Sequence, residues 1–96
     1  MIIHRVTAVA HEGQTEELVE LMKTEARFLF QISRICTITN PEGAEHNVVV
    51  FDIDFNDIAG LNAWRASVGA PDNKAFFEKW GSMVESYSAQ DFVTDG

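Results

Sequence analysis

The chain is poor in several things, and each shortage excludes something. It has one cysteine, Cys36, so no internal disulfide can form, which suits a reducing cytoplasmic setting. Its two prolines and six dispersed glycines leave no linker and no glycine loop able to cradle a phosphate. Seven Lys and Arg against fifteen Asp and Glu give a net charge of −8 with His neutral, and the basic residues form no patch. Such a surface repels phosphate, so neither nucleic acid nor an anionic membrane is an expected partner. No apolar run approaches the ~18 residues of a membrane span, and the first residues lack the layout of a secretory signal. The three histidines, His4, His11 and His46, have no zinc-ligand spacing, so no metal is expected.

What is present is ordinary globular composition, 46% hydrophobic and 23% charged over 96 residues. That amounts to one domain over 1–96 with a single core. Residues 1–10, β-branched and alternating, read as a strand, and His11-Glu12-Gly13-Gln14 as a turn. Thr15 offers a capping oxygen, Glu16 and Glu17 suit a helix N-terminus, and Leu18, Leu21, Met22, Ala26 and Leu29 form one helical stripe. A second strand is expected over 32–39, a turn at Asn40-Pro41-Glu42-Gly43, and a third strand over 46–55. Asn56 can cap a second helix with Leu61, Trp64 and Val68 on one face, stopped by Gly69 and Pro71. After Asp72, a third helical stripe takes Phe76, Phe77, Trp80, Met83 and Val84, and 90–94 reads as a short last strand. The order βαββααβ is an α+β, ferredoxin-like arrangement with a four-stranded antiparallel sheet.

Period-two alternation divides the strands into faces. Val49, Phe51, Ile53 and Phe55 form the greasier row of the third strand and should meet the helices; Val48, Val50, Asp52 and Asp54 face the other way. The first strand divides into Ile3, Arg5, Thr7 and Val9 against His4, Val6, Ala8 and Ala10. Neither row of either strand is wholly polar, unlike a sheet face open to water. Two sheets stacked face to face would bury the excess, so a homodimer is the expectation.

Three stretches carry a family resemblance: Met1-Ile2-Ile3-His4-Arg5-Val6; Val49 to Asp57 with Leu61 and Trp64; and Pro71-Asp72-Asn73-Lys74-Ala75-Phe76. Together they resemble the dimeric α/β-barrel superfamily, which includes antibiotic-biosynthesis-type monooxygenases, stress-responsive A/B-barrel proteins and NIPSNAP-like proteins. The resemblance implies ferredoxin-like units pairing into a barrel through their sheet faces. It also implies a cofactor-independent monooxygenase, or a cyclase or isomerase, acting on a small aromatic or polyketide-like molecule. The alternative is a non-catalytic ligand-binding or stress-associated barrel. The family's His-Pro-x-His histidines fall at Ala70 and Asn73, so its Tyr–His acid–base pair is missing here. No predicted helix carries a histidine, so haem is not expected, nor any other cofactor.

On that resemblance the catalytic candidates are His4 as base with Trp64 and Asn73 positioning substrate, in a pocket walled by Phe51, Phe76 and Trp80. Each has a plainer role. His4 can be a buried histidine bonded to a neighbour, the tryptophans can be core whose indole N–H groups need acceptors, and Asn73 can serve its own turn. Asp52 and Asp54 share a strand face as an acid–base or metal pair, or as solvated groups pairing with Arg5 across a dimer. Cys36 reads as buried and inert.

Overall fold

The computed structural model describes residues 1–37 and 47–94. The expected Asn40–Gly43 turn, the end of the second strand at 38–39 and the start of the third at His46 lie outside the described residues. Strand β1 (Ile2–Ala10) is central, and the sheet order is β2-β3-β1-β4 with β2 (Arg34–Thr37), β3 (Val48–Phe55) and β4 (Val84–Val93). All three pairings are antiparallel, giving the ferredoxin-like α+β sheet. Gly13 supplies the positive φ, 82°, that the turn after β1 requires.

Helix α1 (Thr15–Leu21) continues through a π-helical turn (Met22–Ala26) into α2 (Arg27–Phe30). The π turn corrects the predicted stripe. Leu18, Leu21, Met22 and Ala26 are buried, but the extra residue carries Leu29 out to solvent and brings Phe30 into the core. Thr15 is not the cap: the flanking position is Gln14, without a side-chain bond, and Thr15 Oγ1 donates to Asn47 Oδ1 at 3.0 Å. Nor does Asn56 cap α3 (Ile58–Val68). Asp57 does, its carboxylate accepting from the Gly60 N–H at 2.9 Å.

A short 3₁₀ turn (Pro71–Asn73) leads into α4 (Lys74–Met83). Val84, expected to extend that helix, has φ −107° and ψ 123° and begins β4 instead. The last strand is therefore ten residues rather than five, because it pairs along the whole of β1. That pairing outweighs the weak strand propensity of Glu85, Ser86, Ser88 and Ala89.

The face assignment holds. Val49, Phe51 and Ile53 of β3 and His4, Val6, Ala8 and Ala10 of β1 are buried under the helices, with Leu61 of α3 and Leu18 and Met22 of the first helix. On the outer face Asp52 is only 2% exposed. Arg5 Nε and Nη2 donate to its two oxygens at 2.8 and 3.0 Å, and Arg34 Nε donates to it at 3.1 Å. Arg34 also holds Asp54 through Nη1 and Nη2, at 3.0 and 2.6 Å. The Arg5–Asp52 pair expected across a dimer thus lies within one chain, since Arg5 and Asp52 are direct partners in the β1–β3 register. The bond from Arg5, then that from Arg34, holds the Asp52 carboxyl below its ordinary range against the opposing effect of burial. Cys36, expected to be buried, is exposed on this same face.

Candidate functional site

Between the inner sheet face and the helices lies a cavity of about 250 Å³. Its floor includes His4, Val6 and Phe51, and its walls include Met22, Phe30, Trp64, Phe76, Trp80 and Tyr87. The small side chain of Ala89 on β4 leaves space that a larger residue would fill. Rings meet at angles around the cavity: Phe30 and Phe76 are 5.0 Å apart at 66°, and Trp80 and Tyr87 are 5.0 Å apart at 70°. These are the edge-to-face arrangements that aromatic quadrupoles favour.

His4 is 8% exposed. Directly opposite it in the β1–β4 register stands Asp91, whose Oδ1 lies 2.5 Å from His4 Nδ1. Carboxylate oxygen is acceptor only, so Nδ1 carries the proton and Nε2 keeps the lone pair. Among the described residues Nε2 has no hydrogen-bond partner, and it is not among the buried polar atoms left unsatisfied. The other Asp91 oxygen, Oδ2, accepts from Arg65 Nη2 at 2.5 Å. The bond from His4, with the charge and the bond of Arg65 behind it, holds the Asp91 carboxyl below its ordinary range, while partial burial opposes this.

Trp64 packs on the imidazole, ring centroids 5.0 Å apart, and its indole N–H donates to the Phe30 carbonyl at 2.8 Å. That bond removes the indole from the list of free donors and fixes its ring as a wall. The structure therefore brings His4, Trp64, Phe51, Phe76 and Trp80 together around one cavity. It does not bring Asn73 there. The Asn73 amide donates to the Ser67 and Val68 carbonyls at 2.9 and 3.3 Å, closing the C-terminal end of α3.

Sequence reasoning missed Phe30, Met22 and Phe77 of the cavity wall, and around His4 it missed Asp91, Arg65 and Tyr87. Asp91 and Tyr87 depend on the β1–β4 register, which no local pattern encodes. Arg65 follows Trp64 on α3 and reads as an ordinary exposed helix residue. Among the described residues, no group of three His, Cys, Asp or Glu side chains is placed to hold a metal ion, and no helix is long and apolar enough to cross a membrane.

No protein-family model matches the chain, and no curated protein sequence does. Solved structures do. An uncharacterized NIPSNAP domain protein from Burkholderia xenovorans aligns with TM-score 0.77 at 21% identity, over 99% of this chain and 95% of that one. A NIPSNAP family protein from Agrobacterium tumefaciens aligns with TM-score 0.81 at 11% identity, over 98% and 92%. SnoaB, a cofactor-independent oxygenase from Streptomyces nogalater, aligns with TM-score 0.70 at 13% identity, over 99% and 93%. The chain has the fold shared by these NIPSNAP proteins and by antibiotic-biosynthesis-monooxygenase-like proteins.

Proposed function

We propose that the cavity binds a small aromatic or polyketide-like molecule and that His4 removes a proton from it, as the first step of a cofactor-independent oxygenation or of an isomerisation or cyclisation. The observation that carries this reading is His4, paired with Asp91, in the floor of a cavity lined otherwise by apolar and aromatic side chains. Asp91 fixes Nδ1 as the donor, so Nε2 is the nitrogen left to accept a proton. Trp64, Trp80, Phe51 and Phe76 hold a flat ring system beside it. In such surroundings the substrate's negative charge spreads over its own fused rings and carbonyl. With dioxygen as oxidant, an activated CH₂ then becomes C=O and the second oxygen atom leaves as water. Without oxidant, the same anion reprotonates elsewhere or closes a ring. Asn73 has no part in this reading, since its amide is engaged at the end of α3.

Turnover of anthrones and hydroxylated naphthalenes, followed by oxygen uptake and product spectra, is the test. His4→Ala should lower turnover about 10²- to 10⁴-fold, the range for loss of a general base. Equal turnover in His4→Ala and parent would end the catalytic reading. Binding of these probes by the parent without turnover would leave a ligand-binding barrel.

The working unit in this reading is a homodimer joined through the outer sheet faces. Ile3, Val9 and Val50 are only half-buried there, Phe92 and Cys36 are exposed, and the charges between them already neutralise one another within the chain. A second copy buries the apolar residues without stranding an ion. Light scattering at micromolar concentration should return twice the mass of the chain.

A further inference from the structure

We infer that Arg65 is a positioning residue for His4, acting through Asp91. The inference rests on the proposed role of His4 as base, but its test does not need turnover.

Asp91 stands on β4, an edge strand of the sheet, and its side chain is 37% exposed. A carboxylate so placed has water as a competing partner and is free to rotate away from imidazole. Arg65 removes that freedom by taking the oxygen that His4 does not use. The carboxylate is then held at both oxygens, one by β1 through His4 and one by α3 through Arg65. Trp64, the preceding residue of α3, packs against the same imidazole with the two rings tilted by 55°. Two consecutive residues of one helix therefore restrain the dyad, one at the ring and one at its acid partner. The Arg65 side chain is half in water and does not line the cavity, so it acts on the base without touching a bound molecule.

The consequence is a defined tautomer. With Asp91 clamped, the Nδ1–H is held in its bond and the lone pair stays on Nε2. With Arg65 removed, Asp91 swings to solvent, and the two ring nitrogens of His4 compete for the proton. A lysine at position 65 restores the charge but not the planar fork, so it restores the arrangement in part.

Side-chain ¹H–¹⁵N correlation spectra of the full chain test this directly, with the His4 signals identified by their absence in His4→Ala. In the parent, His4 should be the Nδ1–H tautomer with a downfield proton protected from exchange with water. In Arg65→Gln that proton should exchange at least tenfold faster and the ¹⁵N shifts should move toward a mixture of tautomers, with partial recovery in Arg65→Lys. If Arg65→Gln fails to fold, the comparison is made with Arg65→Lys and with the parent in 1 M NaCl, where screening should speed the same exchange. A His4 signal that is unmoved in every one of these overturns the inference. The two proposals fail separately: a responsive signal in a protein indifferent to His4→Ala sinks only the catalysis, and an unresponsive signal with turnover lost in His4→Ala sinks only the role of Arg65.

Discussion

On the outer face of the sheet, Asp52 is gripped by two arginines and almost sealed from water; on the inner face, Asp91 is shared between His4 and Arg65 and keeps over a third of its side chain in solvent. Both carboxyls are held below their ordinary range, each by its first hydrogen-bond donor. The environments differ in what the acid orients. Asp52 faces only guanidinium groups, which cannot give up a proton near neutrality, so its cluster is fixed in charge and serves as structure. Asp91 faces an imidazole, the one side chain whose ordinary titration lies close to neutral pH, at the edge of a cavity. A depressed carboxyl is thus no mark of chemistry until its partner is known.

The contrast is broken most forcefully at Asp52. Asp52→Ala leaves two guanidinium groups without their shared partner and should destabilise the fold by about 3 kcal/mol. That is the low end for a broken buried pair (~3–5 kcal/mol), because both arginine side chains keep more than two-fifths of their surface in water. Urea unfolding measures it, and a loss below about 1 kcal/mol would make the outer cluster an ordinary surface network. Asp91→Asn, by comparison, should cost no more than about 1 kcal/mol, in keeping with its exposure.

Acid sharpens the comparison next. A carboxyl lowered on folding stabilises the fold at pH above its unfolded value, near ~3.9, and that contribution is lost as pH falls through the lower folded value. Stability contributed by Asp52 and Asp91 should therefore be fully present from about pH 5 upward and fall away below about pH 4. Urea midpoints taken from pH 3 to 6 should show a shallower acid limb in Asp52→Asn than in the parent. Parallel limbs would mean the two acids are not tied to folding as the geometry implies.

The smallest effect is kinetic. Cys36 is exposed on the outer face of a single chain. If that face carries a second copy, a thiol reagent should label Cys36 several-fold more slowly at concentrations where light scattering finds the dimer than after dilution. Labelling at one rate across that range would leave the outer face open to water.

Much of the architecture was legible because alternation along β1 and β3 is strong. Parity put Val49, Phe51 and Ile53 under the helices and divided β1 into two rows, and the family resemblance turned the row of His4, Val6 and Ala8 inward. The apolar stripe of the first helix failed only past the π turn, where Phe30 replaces Leu29, since periodicity counts assume a uniform helix. His4, Trp64, Phe51, Phe76 and Trp80 were legible as cavity residues from the family resemblance, whereas Asn73 followed the motif and not the space. Asp91 was invisible for a different reason. Its significance lies in standing opposite His4 across two strands 87 positions apart in sequence, and register between distant strands leaves no trace in either one.

The π turn at Met22–Ala26 makes the roof of the cavity depend on a single surplus peptide unit. Winding that turn into even α-pitch with every residue kept would swing Leu29 inward and send Phe30, with the carbonyl that anchors the Trp64 indole, off its mark. Excising one residue there, Thr24 for instance, would restore even pitch and leave Phe30, then eleven positions after Leu18, facing the sheet. The first helix thus tolerates the loss of one residue at that turn better than the loss of the turn itself.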